Sequence, residues 1–331
     1  MVYIMAEAGV NHNGSLDTAK KLADTAASCG ADAVKFQTFK AEKMITRQAQ
    51  KALYQIENGA GGENQLEMVK KLELPFEQFR ELHAYCKAVK TDFISTPFDV
   101  ESIEFLTALD IPFWKIPSGG ITDYPCLVAL ARTGKPVILS TGMSTLSEVE
   151  EAVCLLQKNG SGPITLLQCN TQYPTPPQDA NLLAMRTMSD AFGLPVGYSD
   201  HTEGIEIALA AVALGACVIE KHFTLDKNMQ GPDHKASLNP EELRNLVTGI
   251  RKIEMALGTG VKSPTGSEKM NLVVVRKSIV AARRIKKGEE LTSENLTTKR
   301  PAGGISPMKW PKVIGKKATR DYIEDEIIED E

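Results

Sequence analysis

Short apolar runs alternate along this chain with longer segments whose apolar positions recur every three or four residues. Gly, Pro or Ser punctuates most of the junctions. Runs of the first kind read as buried strands, and segments of the second kind as amphipathic helices. The pattern predicts strands over 2–7, 32–37, 92–96, 113–118, 136–141, 164–170, 195–198 and 217–219. It predicts helices over 16–29, 75–90, 100–109, 124–133, 145–158, 182–192, 204–215 and 240–257. Ser15 is placed to cap the first helix and Gly30 to end it. Ser144 or Ser147 would cap the helix over 145–158, with Gly160 closing it.

These elements form eight strand–helix units within residues 1–258, the size expected of a closed (β/α)8 TIM barrel. The strands show little alternation, as when both faces are buried. An open doubly wound sheet is the alternative, and it is disfavoured because no glycine-rich GxGxxG turn follows the first strand. The stretch 38–74 is polar and too long for an ordinary connection, so it is expected to be a functional loop or lid. Residues 259–277, rich in Gly, Thr, Ser, Pro and Lys, read as a linker. Residues 278–331 read as a small β-rich domain, with β-like runs at 279–282 and 296–299 and a turn at 286–289. A piece of that size is marginal as an independent core and is expected to pack on its own barrel or a partner's.

A formal net charge of −4 argues against nucleic acid or an anionic membrane as a general partner, so any phosphate site must be a local cluster of cations. The six cysteines are scattered without a CxxC pair and read as reduced. No basic region precedes the first strand, and no apolar run approaches the roughly 20 residues of a membrane span, so the expected location is cytoplasmic.

The chemistry of such a barrel lies at the C-terminal ends of its strands. Those ends bear Glu7, Lys35, Gln37, Thr96, Phe98, Lys115, Ser118, Thr171, Tyr173, Ser199, His201, Lys221 and His222. His201 and His222 end consecutive strands, which are neighbours when a helix crosses over between them. Two imidazoles there could share a divalent metal; otherwise each merely caps a strand or bonds a loop carbonyl. Lys35 and Lys115 interrupt apolar strands, and a buried lysine needs an anionic partner. Glu7 and Glu220 would serve in a structural ion pair. An anionic substrate would serve as well, with the hydroxyls of Thr96, Ser118 and Ser199 around its phosphate. Phosphate, metal and the Glu7 carboxylate together point to carbon–carbon bond chemistry on a phosphorylated small acid. A Schiff base on Lys115 is the competing use of that lysine.

Several motifs, taken together, resemble the sialic acid synthase family. They are Ala6-Glu7-Ala8-Gly9-Val10-Asn11-His12-Asn13-Gly14, Val34-Lys35-Phe36-Gln37-Thr38, Lys115-Ile116-Pro117-Ser118-Gly119, Tyr173-Pro174-Thr175-Pro176, Tyr198-Ser199-Asp200-His201-Thr202 and Glu220-Lys221-His222-Phe223-Thr224. The tail, with Ile285-Lys286-Lys287-Gly288 and Lys299-Arg300-Pro301, resembles that family's antifreeze-like (SAF) domain. The resemblance implies condensation of phosphoenolpyruvate with an N-acetylated mannosamine-type sugar and release of phosphate. It implies that His201 and His222 hold Mn2+ or Mg2+, and that Lys35, Thr96, Lys115, Ser118, Thr171 and Ser199 hold phosphoenolpyruvate. Glu7, Gln37, Phe98, Tyr173 and Asp233 would face the sugar or the proton transfers. A domain-swapped homodimer is implied, with Arg300 acting in the neighbouring subunit's site.

The chain departs from the family at Gly120, where Glu is common, and at Thr171, where Asn often stands two residues before the tyrosine. Asn170 cannot substitute there, because strand side chains alternate faces. The segments 169–174 and 231–238 resemble the branch that makes legionaminic acid from 2,4-diacetamido-2,4,6-trideoxymannose. N-acetylneuraminate and pseudaminate synthases are the other branches. A non-catalytic sugar-binding protein is the reading from a different class.

Overall fold

A computed structural model describes residues 1–50 and 64–329 and divides into two compact units, 1–258 and 259–331. The first holds eight parallel strands: β1 (Tyr3–Gly9), β2 (Ala33–Thr38), β3 (Asp92–Pro97), β4 (Trp114–Ile116), β5 (Val137–Ser140), β6 (Ile164–Cys169), β7 (Val196–Asp200) and β8 (Val218–His222). They hydrogen-bond in the order β3-β2-β1-β8-β7-β6-β5-β4, and β3 lies beside β4, closing a (β/α)8 TIM barrel. Helices follow the strands: α1 (Leu16–Cys29) after β1; α2 (Ala41–Met44), α3 (Gln65–Lys70) and α4 (Phe76–Ala88) after β2; α5 (Val100–Thr107) after β3; α6 (Tyr124–Ala131) after β4. Then α7 (Leu146–Lys158), α8 (Ala184–Phe192), α9 (Glu206–Ala213) and α10 (Pro240–Leu257) follow β5 to β8.

Local chemistry sets these boundaries. Ser15 Oγ accepts from Thr18 N at 3.3 Å at the start of α1, and Gly30 takes the left-handed conformation at its end. Neither expected serine caps α7: Thr145 does, in a capping box with Glu148, because its hydroxyl lies three residues before a carboxylate that can return the bond.

The barrel interior is layered by strand alternation. Met5, Ala33, Ile94, Ile138, Leu167 and Val218 point inward and form an apolar plug. Two residues further along the same strands stand Glu7, Lys35, Thr96, Ser140, Cys169 and Glu220, so a polar layer sits directly above the plug. Gly197 keeps β7 close enough to take part: a Cβ there would lie 2.5 Å from the Val218 carbonyl oxygen.

The stretch 38–74 carries α2 and α3, and its described part is less polar than its composition suggested. Ala41, Met68, Val69 and Leu72 pack with Val10 and Phe39 into a small apolar cluster, joined by Met44, Ile45 and Phe98. Residues 51–63 of that expected lid lie outside the described residues.

The second unit holds α11 (Gly266–Val275), the antiparallel pair β9 (Ser278–Ala281) and β10 (Leu296–Lys299), and α12 (Trp310–Val313). The residues expected to be linker therefore include a helix, capped by Thr265 and Glu268 in a capping box. Composition concealed it because α11 has no apolar stripe: none of its residues is buried within the unit. The unit has its own core of Ile279, Ile285, Leu291, Leu296, Val313, Tyr322 and Ile328. Among the described residues no helix is long and apolar enough to cross a membrane.

Candidate active site

The polar layer opens into a cavity of about 460 Å³ at the C-terminal ends of the strands. Glu7, Lys35, Gln37, Thr96, Phe98, Lys115, Ser118, Thr171, Tyr173, Ser199, His201, His222 and Asp233 all line it. Arg300 lies in the second unit, where it is exposed.

The floor is a chain of alternating charge. Lys35 Nζ is 2.7 Å from Glu7 Oε2 and 3.9 Å from Glu220 Oε2, and it donates to Thr96 Oγ1 at 3.1 Å. Lys115 Nζ is 3.5 Å from Glu220 Oε1 and donates to Ser140 Oγ at 2.8 Å. Ser199 Oγ donates to Glu220 Oε1 at 2.9 Å, and Gln37 donates to Glu7 Oε1 at 3.1 Å. The carboxylate pairing expected as the bland reading of the lysines thus exists, and it exists inside the cavity. Burial alone would lower both lysines. For Lys35, Glu220 and Glu7 outweigh it, and the ammonium titrates above its ordinary value. For Lys115 burial wins over Glu220, and the group is lowered. Burial raises Glu7 against the pull of Lys35, whereas Glu220 is drawn below its ordinary value because Lys115 and Lys35 overcome its burial.

One wall carries the imidazoles. Their rings are 5.2 Å apart, and the Tyr173 ring lies 4.1 Å from that of His201 and 5.6 Å from that of His222. His201 Nδ1 donates to the Asn170 carbonyl, which leaves the lone pair of the neutral ring on Nε2. His222 Nδ1 is buried without a hydrogen-bond partner, 3.9 Å from Asp233 Oδ2. Burial first, with the positive charge of Lys35 adding to it, holds His222 well below the ordinary imidazole range; burial pushes Asp233 up to about 6. Among the described residues no three His, Cys, Asp or Glu side chains converge into a ready cage. The two neutral ring nitrogens and the nearby carboxylate nonetheless suit a divalent ion whose remaining positions are filled by substrate oxygens or water.

Several residues fall differently from the expected ring of strand ends. Lys221 does not face the cavity. It points to the other side of β8, where Nζ is 2.7 Å from Asp200 Oδ2 and donates to the Thr202 carbonyl at 2.7 Å. Its neighbour His222 faces in, as strand alternation requires. Asn170 is also outside the lining: its Oδ1 accepts from Gln172 N at 2.7 Å, while Thr171 lines the cavity. Gly120 ends a 3-10 turn, Ser118–Gly120, away from the lining, and a Cβ there would meet Ile116 and Pro117 at 3.3 Å. Sequence reasoning gave Glu220 only a structural part, placed Ser140 and Cys169 among the strand ends without a role, and missed Met44 and Met68. Counting two residues on from each plug residue turns Ser140, Cys169 and Glu220 into the cup.

Residues 22–262 match the NeuB family, and residues 276–331 match the SAF domain. The chain is 57% identical to the N,N'-diacetyllegionaminic acid synthase of Campylobacter jejuni, over 98% of each chain. It is 46% identical to the enzyme of the same name from Legionella pneumophila, over 95% of this chain and 90% of that one. A crystal structure of N-acetylneuraminic acid synthetase from Leptospira borgpetersenii, in complex with citrate, is 38% identical. It superposes with a TM-score of 0.73, covering 82% of this chain and 90% of the other.

Proposed function

The chain belongs to the NeuB family, and from that premise we propose that it condenses phosphoenolpyruvate with 2,4-diacetamido-2,4,6-trideoxymannose to give N,N'-diacetyllegionaminate and phosphate. The observation that carries this is the meeting, in one cavity, of a floor with two buried ammonium groups and a wall with two imidazoles.

Phosphoenolpyruvate lies on the floor. Its phosphate and carboxylate take the ammonium groups of Lys35 and Lys115, aided by the hydroxyls of Thr96, Ser118, Thr171 and Ser199. The sugar stands above it, its open-chain aldehyde toward the imidazole wall, held by Gln37, Tyr173 and Asp233 and packed against Phe98. His201 and His222 would hold a divalent ion, Mn2+ or Mg2+, which would supply polarisation of the aldehyde oxygen. The methylene carbon of phosphoenolpyruvate forms a bond to the aldehyde carbon, whose oxygen takes a proton and becomes a hydroxyl. Water adds to the electron-poor C2 and gives up a proton. The C2–O bond to phosphate then breaks, the electron pair leaves with phosphate, the C2 hydroxyl gives its proton to the departing phosphate, and C2 becomes the ketone. Glu7, whose carboxyl is raised by burial, is suited to carry a proton between these steps.

The same reading makes the protein a cytoplasmic homodimer in which Arg300 completes the sugar site of the neighbouring subunit. A separate compact unit that carries Arg300 exposed supports it. Arg300→Ala mixed with a Lys115→Met subunit recovers activity if Arg300 acts in trans; two inactive parents that stay inactive on mixing argue against it.

Phosphate release with phosphoenolpyruvate, assayed with and without EDTA, tests the reaction. Release that requires metal, and that His222→Ala abolishes while the fold persists, is the expected result. EDTA-resistant turnover with borohydride trapping of Lys115 would replace the reading by a Schiff-base aldolase, and sugar binding without phosphate release by a non-catalytic one.

A further inference from the structure

The cavity is chemically two-sided, and of its second side only Phe98 has a part in the reaction described above. Above β1–β3, which follow directly on β8 in the strand order, the lining is mainly apolar: Val10, Phe39, Met44, Met68, Val69 and Phe98. These side chains pack on one another in one cluster, and none has a strong hydrogen-bond donor or acceptor. Among the described lining residues the ammonium groups are those of Lys35 and Lys115, on the floor, and the imidazoles stand at the ends of β7 and β8. Gln37 and Gln65 are the amides that line the same cavity.

We propose that this apolar wall selects the sugar by its far end, taking an aldose that is 6-deoxy and doubly N-acylated and disfavouring one that ends in a hydroxymethyl or a phosphate. The inference rests on the placement of phosphoenolpyruvate and aldehyde given above. With the aldehyde at the imidazoles and phosphoenolpyruvate on the floor, the rest of the sugar extends toward the wall above β1–β3. A C6 methyl and an acetamido methyl there bury apolar surface against apolar surface. A hydroxyl packed against these six side chains gives up its water for no partner among them, and a phosphate gives up much more, since none of them carries a cation. Met44 and Met68 suit the role because their unbranched thioethers follow the contour of two methyl groups set at different depths.

The test is kcat/KM for 2,4-diacetamido-2,4,6-trideoxymannose, N-acetylmannosamine and N-acetylmannosamine 6-phosphate, measured on the full chain with saturating phosphoenolpyruvate. The unmodified protein should prefer the 6-deoxy sugar over N-acetylmannosamine by about 100-fold, the scale on which an apolar pocket separates such substrates. Met68→Gln and Met44→Gln should each cut that ratio about tenfold through the 6-deoxy sugar alone, with KM for phosphoenolpyruvate held within about twofold; Met68→Leu should keep the ratio within about threefold. Met44 is only half-buried, so its variant carries the test if the Met68 variant fails to fold. Equal use of the three sugars, or Gln variants that slow all of them alike, would overturn the inference and leave the reaction standing. No phosphate release with any of the three would take down the reaction and the inference with it.

Discussion

Two buried ion-pair systems lie on opposite faces of β8, one residue apart in sequence, and they are built to different standards. The outer one is closed. Lys221 Nζ lies 2.7 Å from Asp200 Oδ2, while Asp200 Oδ1 accepts from Thr202 N at 2.9 Å and from Thr202 Oγ1 at 2.8 Å. The inner one is open. Glu220 sits 3.5 Å from Lys115 and 3.9 Å from Lys35, and its Oε2 has no hydrogen-bond partner. A closed pair fixes strand ends; an open one holds charge in reserve for something that arrives later. Incomplete pairing in a buried network costs stability, and such cost concentrates where function requires it.

The comparison breaks if the two systems respond alike to loss of their lysines. The largest effect is expected inside: Lys115→Met should lower phosphate release by at least about 10³-fold, on the scale of removing a preorganised charge from a reacting centre, with little loss of stability. Outside, Lys221→Met should cost about 3–5 kcal/mol in urea unfolding, because Asp200 is left buried and unpaired, while turnover per folded molecule stays within about tenfold. Replacing both partners, Asp200→Asn with Lys221→Met, should recover a good part of that loss. Unchanged stability in Lys221→Met, or a Lys115→Met protein that fails to fold, would erase the distinction.

The smallest effect sharpens the comparison in acid. Burial pulls His12, which belongs to neither system, down to about 4 from its ordinary 6.5. Between those values the unfolded chain binds a proton that the folded chain does not, so stability falls as pH drops through the window. His12→Asn should flatten that fall by up to about 3 kcal/mol, leaving the carboxylates to dominate what remains. An unaltered slope of melting temperature against pH would show that His12 is not held neutral.

The sequence showed the barrel and most of its cup because both follow from short-range pattern: strand-type runs, helical spacing, and polar residues where a strand stops. His201, His222, Lys35 and Lys115 stood out as polar groups at the ends of, or inside, apolar runs. What stayed hidden depends on direction. Reading strand ends residue by residue put Lys221 in the ring, since nothing local to it says which face it takes; parity with Val218 and Glu220 decides that. Met44 and Met68 were hidden by their surroundings, a stretch full of Lys, Gln and Glu in which single apolar residues gain meaning only when tertiary packing gathers them. The helix Gly266–Val275 escaped for the opposite reason: its capping box was present, but it has no buried stripe to mark a helical period.

The alternation along β7 and β8 makes chain length a stricter constraint than residue identity in these two strands. A conservative exchange at Ser199 or Glu220 alters one contact. A single residue inserted between Val218 and Glu220 turns the strand end over, sending the imidazole and Glu220 into the helix layer and an ammonium group into the cup. Drift in length among descendants of this chain must therefore be absorbed by the connections, and the two strands can diverge only by substitution.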